Sequence, residues 1–290
     1  MKVLLTGSGG FVGKEVVKAL KQHKHKVIEY DLDKGKNILN EEQLSEEMKN
    51  ADTIIHLAGI VENENPKLWE INVKGTEKVA QAAKKAKIKK LVYMSSTAVY
   101  GYTKGEINER SLVKPENKYE KSKAEGEKIV LGIMDVTTIC IVRSAMIFGA
   151  NEYWKKMFKM LEKKYPLPCK GDNTFQIIYV KELANAICTV LEKGKNGEIY
   201  LAAGKEKETL NRFIKIIQSE LGLKQEIKHI PTWLGILFGK IFGIKMLTLE
   251  NIRHLSKERN YQTEKIKKLG YKQKVSLKNA VKEVVKGITK

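Results

Sequence analysis

Met1-Lys2-Val3-Leu4-Leu5-Thr6-Gly7-Ser8-Gly9-Gly10-Phe11-Val12-Gly13-Lys14 opens the chain and sets its fold. The apolar run of residues 3–5 reads as a strand, the glycines as a tight turn, and Val16, Val17 and Leu20 as one face of a helix. Gly7 can take a backbone conformation closed to other residues, and Gly10 lets the chain approach a pyrophosphate. Gly13 lets the helix pack close on the sheet, while the helix N-terminus offers N–H groups and a positive dipole end. The spacing Gly7-x-x-Gly10-x-x-Gly13 differs from G-x-G-x-x-G. The strand before it and the helix after it supply the context that makes it a dinucleotide turn.

Beyond this unit, strands expected over residues 27–30, 53–57, 90–94 and 138–142 alternate with helices over 42–48, 69–86 and 119–131. That alternation predicts an α/β fold, a doubly wound parallel Rossmann sheet. After Gly149 the pattern changes. A helix over 153–165, strands over 177–180 and 199–202, and helices over 210–221 and 277–285 predict a smaller α+β lobe. The expected division is a dinucleotide-binding domain over 1–150 and a substrate lobe over 151–290, with strand 177–180 and its helix returning to the first domain.

The net charge is +20, yet only five of the 54 basic residues are arginine: Arg110, Arg143, Arg212, Arg253 and Arg259. The scattered lysines read as a solvated surface, and no zinc finger or aromatic RNA-binding strand is present, so no specific nucleic-acid partner is expected. Cys140, Cys169 and Cys188 lack metal-ligand spacing, and no metal is expected. With strand-forming residues at the very start, the expected compartment is cytoplasmic. Residues 230–247 are the most apolar stretch, but Pro231, Lys240, Lys245 and three glycines argue against a spanning helix. A lid or core helix of the second lobe is the favoured reading; contact with a membrane surface is the alternative.

Asp31 closes the second predicted strand, where a carboxylate can accept from ribose hydroxyls and would repel a 2′-phosphate, favouring NAD over NADP. Asn37 and Ile38 follow where an adenine contact is expected. Ser96 ends the fourth strand, and Tyr119 and Lys123 stand four apart on the next helix, on one face. A neighbouring ammonium would lower the Tyr119 phenol from its usual value near 10, making it a base at neutral pH.

With these positions in order, the chain resembles the extended short-chain dehydrogenase/reductases, the NAD-dependent epimerase/dehydratase family. The resemblance rests on Thr6 to Gly13, on Asp52-Thr-Ile-Ile-His56-Leu-Ala58-Gly59 and on Asn72-Val-Lys-Gly75-Thr76. It continues through Ser96-Thr-Ala-Val-Tyr100-Gly101, Tyr119-Glu-Lys-Ser-Lys123, Arg143 with Ile147-Phe-Gly149, and Tyr179-Val-Lys-Glu-Leu-Ala184. It implies Ser96, Tyr119 and Lys123 as the catalytic set. It also implies a cofactor site of Gly7, Gly10, Phe11, Val12, Gly13, Asp31, Asn37, Ile38, Leu57, Ala58, Gly59, Asn72, Ser95, Tyr119 and Lys123, and a homodimer. Thr97, Met146 and Phe175 fall at substrate positions.

The departures narrow the reaction. Thr97 and Ala98 stand where the family's dehydratases carry an Asp-Glu pair, which disfavours elimination of water. Met146 and Phe175 replace the Asn and Arg with which sugar-nucleotide epimerases meet a diphosphate. The expectation is therefore a secondary-alcohol/ketone oxidoreductase on an apolar, steroid- or isoprenoid-like substrate. A UDP-sugar 4-epimerase is the alternative, and a non-catalytic NAD-binding assembly subunit is a third reading.

Overall fold

The structure is a computed structural model that describes residues 1–103, 105–241, 243 and 247–288. The expectations for Phe242, Ile244, Lys245 and Met246 within the 230–247 stretch lie outside the described residues. Strand β1 (Lys2–Thr6) passes through the glycine turn into α1 (Phe11–Gln22), and β2 (Lys26–Tyr30) returns beside it. The alternation continues with α2 (Glu41–Met48), β3 (Thr53–His56), α3 (Thr76–Lys85), β4 (Lys90–Ser96), α4 (Lys118–Leu131) and β5 (Thr138–Ser144). Two short strands, β6 (Ile147–Phe148) and β7 (Ile178–Tyr179), flank α5 (Glu152–Glu162), and α6 (Val180–Lys193) and β8 (Glu198–Ala202) follow.

The main sheet has the order β2-β1-β3-β4-β5-β8, and every pair in it is parallel. Its faces explain the sequence of β1. Val3 and Leu5 pack with Val16, Val17 and Leu20 of α1 and Ile187 of α6, whereas Leu4 packs with Leu44, Val79 and Leu91 on the other face. A strand covered on both sides has no place for a polar alternate, hence the unbroken apolar run. The strand order reverses on either side of β1, which opens a crevice at the carboxyl ends of β1 and β3.

Two expectations change. The strand expected over 177–180 shortens to β7, which pairs with β6 in a separate two-stranded sheet, because Val180 already begins α6. It is β8 that completes the main sheet. The helix expected over 69–86 opens as one wide turn, Glu70–Gly75, before regular α3. A widened turn of this kind exposes backbone for side-chain bonds, and here the Thr76 hydroxyl donates to the Asn72 carbonyl at 2.6 Å.

Outside the main sheet, α5, α7 (Leu210–Glu220), α8 (Thr232–Ile241), α9 (Leu249–Ser256) and α11 (Leu277–Ile288) form a second lobe, whereas α10 (Glu264–Lys268) packs on β8 through Ile266. Trp154, Phe158 and Leu161 form the buried face of α5 and join Phe148, Phe175 and Phe213. The Phe148 and Trp154 rings meet edge to face at 4.9 Å, and the Trp154 indole N–H donates to the Ile147 carbonyl. This cluster fixes the lobe against β6 and β7, beside the crevice.

Candidate active site

The glycine turn is built around two close approaches. Gly7 has φ +75°, and a Cβ there would lie 2.7 Å from the Ala58 backbone nitrogen. A Cβ on Gly13 would run into the Gly7 carbonyl. Gly10 is the N-cap of α1 and offers no side-chain cap, and no acidic side chain stands in the first turn. The N–H groups at that helix start therefore remain available to an anion. The buried Ser8 hydroxyl beside them has no hydrogen-bond partner. A turn left open in this way fits the pyrophosphate of a dinucleotide.

Asp31 lies over the same turn. Its carboxylate accepts from the Gly9 N–H at 2.9 Å and from the Asp33 N–H at 3.3 Å, and the Asp33 carboxylate sits where a Gly9 side chain would be. Two carboxylates at this place oppose a 2′-phosphate. The neighbouring Ile38 and Asn37, expected at an adenine contact, are both engaged within the protein. Ile38 is buried against Gly75 in the core, and Asn37 organises its own loop, its side chain accepting from the Leu39 N–H. Phe11 reaches Gly149 and Val180, and so joins the turn to the second lobe.

The second half of the site comes from β4 and α4. Asn117 and Glu120 form a capping box, each side chain accepting from the other's backbone N–H. The box fixes the start of α4 and so places Tyr119 in its first turn. The Tyr119 N–H is held by the Asn63 carboxamide at 2.8 Å. At the end of β4 the Ser96 hydroxyl accepts from the Ala98 N–H and is hydrogen-bonded to the Tyr119 phenol.

Lys123 is buried one turn further along, and its Nζ donates to the Met94 carbonyl at 2.7 Å and lies over the Tyr93 ring. It stands 3.6 Å from where a Gly59 side chain would begin. Leu57, Ala58 and Gly59 thus form one wall of the crevice, and Asn72 holds them there. The Asn72 carboxamide accepts from the Ile60 N–H, donates to the Ile60 carbonyl and reaches the Ser122 hydroxyl of α4.

The electrostatics differ from the sequence expectation. Burial pushes the half-buried Tyr119 phenol above its ordinary value, the Ser96 hydrogen bond pulls it down, and Glu120 pushes it up. Burial brings Lys123 itself down to about 8, against the pull of Glu127, and its ammonium is engaged by a carbonyl. In the chain alone, Ser96 is the group that favours the phenolate.

Two expected site residues are engaged elsewhere. The Ser95 hydroxyl is buried and donates to Glu127, which also forms a bidentate pair with Arg143; Arg143 in turn donates to the Tyr100 hydroxyl at 2.7 Å. Thr97 is buried and donates to the Tyr261 hydroxyl, which ties the end of β4 to the second lobe.

Phe175 also departs from its expected role. Only 1% exposed, it is core and leans on Phe213. Met146 packs at the edge of the same cluster, and its carbonyl accepts from the Ile178 N–H.

Three residues that the sequence reading passed over, Arg259, Lys257 and His254, form a cationic cluster beside Phe175. The guanidinium of Arg259 lies over the Phe175 ring, 5.5 Å from its centre. Arg259 and Lys257 are 7% and 5% exposed, and neither forms an ion pair among the described residues. Arg259 Nη2 donates to the His254 carbonyl at 2.6 Å, while Nε is buried with no partner. His254 is brought down to about 4 by burial and by the Arg259 and Lys257 charges. Glu120 in the first turn of α4 and Glu116 just before it act on Lys257 through space, so Lys257 lies toward the start of that helix. The signal available in the sequence was scarcity, since Arg259 is one of five arginines among 54 basic residues.

A turn that accepts a dinucleotide, facing a tyrosine able to exchange a proton, defines the class as the nicotinamide-dependent oxidoreductases. The family model described as "NAD dependent epimerase/dehydratase family" matches residues 3–203, and the chain belongs to that family. Among curated proteins it is 28% identical to a dTDP-D-glucose 4,6-dehydratase of Dictyostelium discoideum, over 69% of this chain and 57% of that protein's length. It is 26% identical to the N-acetyl-α-D-glucosaminyl-diphospho-ditrans,octacis-undecaprenol 4-epimerase of Escherichia coli O157:H7, over 83% of this chain and 79% of that protein.

Among solved structures it superposes on the UDP-glucose 4-epimerase of Thermotoga maritima with a TM-score of 0.82 at 19% identity, covering 99% of this chain and 98% of the other. The dTDP-glucose 4,6-dehydratase of Bacillus anthracis, solved with NAD, gives a TM-score of 0.80 at 24% identity, covering 99% and 96%. The two curated relatives are named for reactions on sugars.

Proposed function

We propose that this enzyme is a 4-epimerase acting on a sugar that carries a diphosphate, with NAD recycled within each turnover. The observation that carries this reading is the pair Arg259 and Lys257. Two buried cations without a carboxylate cost several kcal/mol, and a bound diphosphate would offset that cost. The apolar Phe175 had argued against a diphosphate, but the arginine missing from its position is supplied from residue 259, above the ring.

Bound NAD, held by the glycine turn, Asp31 and Lys123, supplies reversible oxidation at C4 of the sugar. Tyr119 takes the proton from the C4 hydroxyl and gives it back, and Ser96 holds that oxygen while steadying the phenolate. Thr97 and Ala98 have no carboxyl with which to expel the C6 hydroxyl, so the reaction stops short of dehydration. The test is Arg259→Met: KM for the sugar diphosphate should rise about 30-fold or more, as for loss of one partner of a buried charge contact, with NAD affinity unchanged. An unchanged KM would refute the diphosphate reading.

A nucleoside is the carrier in several relatives, but one observation favours a lipid. Tyr153, Met157, Leu161, Leu167, Ile252 and Leu255 line an apolar groove in the second lobe, and Tyr153 feels the charge of Arg259. A chain leaving the diphosphate would enter that groove. The Escherichia coli relative is named for a sugar on undecaprenyl diphosphate, which is consistent with this second reading.

A further inference from the structure

Helix α8 is built inside out. Its small residues face the protein. Gly235 and Gly239 are buried, and a side chain on Gly235 would collide with Pro168, while one on Gly239 would lie 2.7 Å from Leu247 Cβ. Its large apolar residues face outward. Trp233, Leu237 and Ile241 follow one another at four-residue spacing and are 66%, 46% and 64% exposed. A helix covering a soluble core presents the opposite arrangement, with large side chains inward and charge outside. Contiguous exposed apolar surface of this kind marks an interaction site.

The surrounding charge indicates what covers it. No aspartate or glutamate occurs from residue 227 to 249, whereas Lys228 and Lys240 are exposed there. Arg253 on the neighbouring α9 is exposed as well. None of these three forms an ion pair among the described residues. The helix has ten residues, and no helix among the described residues is long and apolar enough to cross a membrane.

We propose that α8 docks on the surface of an anionic phospholipid bilayer, with Trp233, Leu237 and Ile241 among the acyl chains and Lys228, Lys240 and Arg253 at the headgroups. Apolar insertion and attraction to anionic lipid act together on such a helix, and the basic residues set the lipid preference. Gly235 seats the helix on Pro168, which lines the apolar groove of the second lobe, so docking would bring that groove to the membrane. The proposal goes beyond the epimerase reading, and its test uses no turnover.

The test is co-sedimentation of the full chain with vesicles of phosphatidylglycerol and phosphatidylcholine, or of phosphatidylcholine alone. Binding to the anionic vesicles is expected, weakened by salt and by omission of phosphatidylglycerol. The variant carrying Trp233→Gln, Leu237→Gln and Ile241→Gln should bind at least about tenfold more weakly while keeping its melting temperature and NAD affinity. Lys240→Gln, which leaves the apolar stripe intact, should lose binding to the anionic vesicles selectively. No sedimentation with either vesicle would overturn the proposal, as would equal binding by the triple variant. A concentration-dependent dimer that the triple variant abolishes, without vesicle binding, would assign the face to a second copy of the chain and overturn it also.

Discussion

In the proposed reaction Tyr119 loses a proton in surroundings that oppose the loss. Burial holds its phenol above the ordinary value, and the Ser96 hydroxyl is what draws it back. Activity should therefore rise with pH as the phenol ionises, and Ser96→Ala should move that rising limb of the kcat/KM profile to higher pH. Tyr119→Phe should lower kcat by about 10²–10⁴ while leaving NAD affinity intact, read by turnover and by calorimetry.

His56 carries a different pH signature. Its ring bridges the Thr6 and Thr76 hydroxyls at 2.6 and 3.0 Å, and burial brings it down to about 3 from 6.5. Above 6.5 it is neutral in both folded and unfolded chains. As pH falls below that value only the unfolded chain takes up the proton, so stability declines by about 1.4 kcal/mol per pH unit until about 3. His254 adds to the decline in the same sense. His56→Gln should flatten the loss of urea resistance between pH 7 and 5. An unchanged slope would show that His56 is not the group responsible.

At the scale of elements, α4 holds the site because its buried face is polar. Tyr119, Lys123 and Glu127 recur every four residues, and the Glu127–Arg143 pair clamps the helix to β5 while Ser95 ties it to β4. Arg143→Met should leave Glu127 buried and unpaired and lower stability by about 3–5 kcal/mol, read from urea melts. A cost below about 1 kcal/mol would mean that the clamp is not structural.

This face also limits what sequence could show. Tyr119 and Lys123 were legible from their spacing and their place after a strand. The roles of Ser95 and Thr97 were not, because their hydroxyls find partners 32 and 164 residues away. The opening strand, by contrast, could be read from one short run, since burial on both faces leaves no polar alternate in β1.

Across the whole molecule, chain segments distant in sequence are joined around residues 259–261. The Tyr261 N–H donates to the Gln176 side chain, and the Ile107 N–H donates to the Asn260 carbonyl. These bonds fix the segment that carries Arg259 and Lys257. The segment has no helical or alternating pattern, so nothing local announced it. For that reason the substrate expected from Met146, Phe175 and the apolar 230–247 stretch leaned toward an apolar alcohol. Asp31→Ser, at the other end of the crevice, should weaken the preference for NAD over NADP, as measured by the two dissociation constants.

The proposed reaction is inversion at C4 of a sugar held by its diphosphate. Its most direct measurement is NMR of the sugar after incubation with catalytic NAD, using UDP-hexoses and a prenyl-diphosphate N-acetylhexosamine as substrates. An equilibrium between 4-epimers of one of these substrates with no net NADH is expected. A 4-keto-6-deoxy product, or NADH accumulating in step with a ketone, would contradict it.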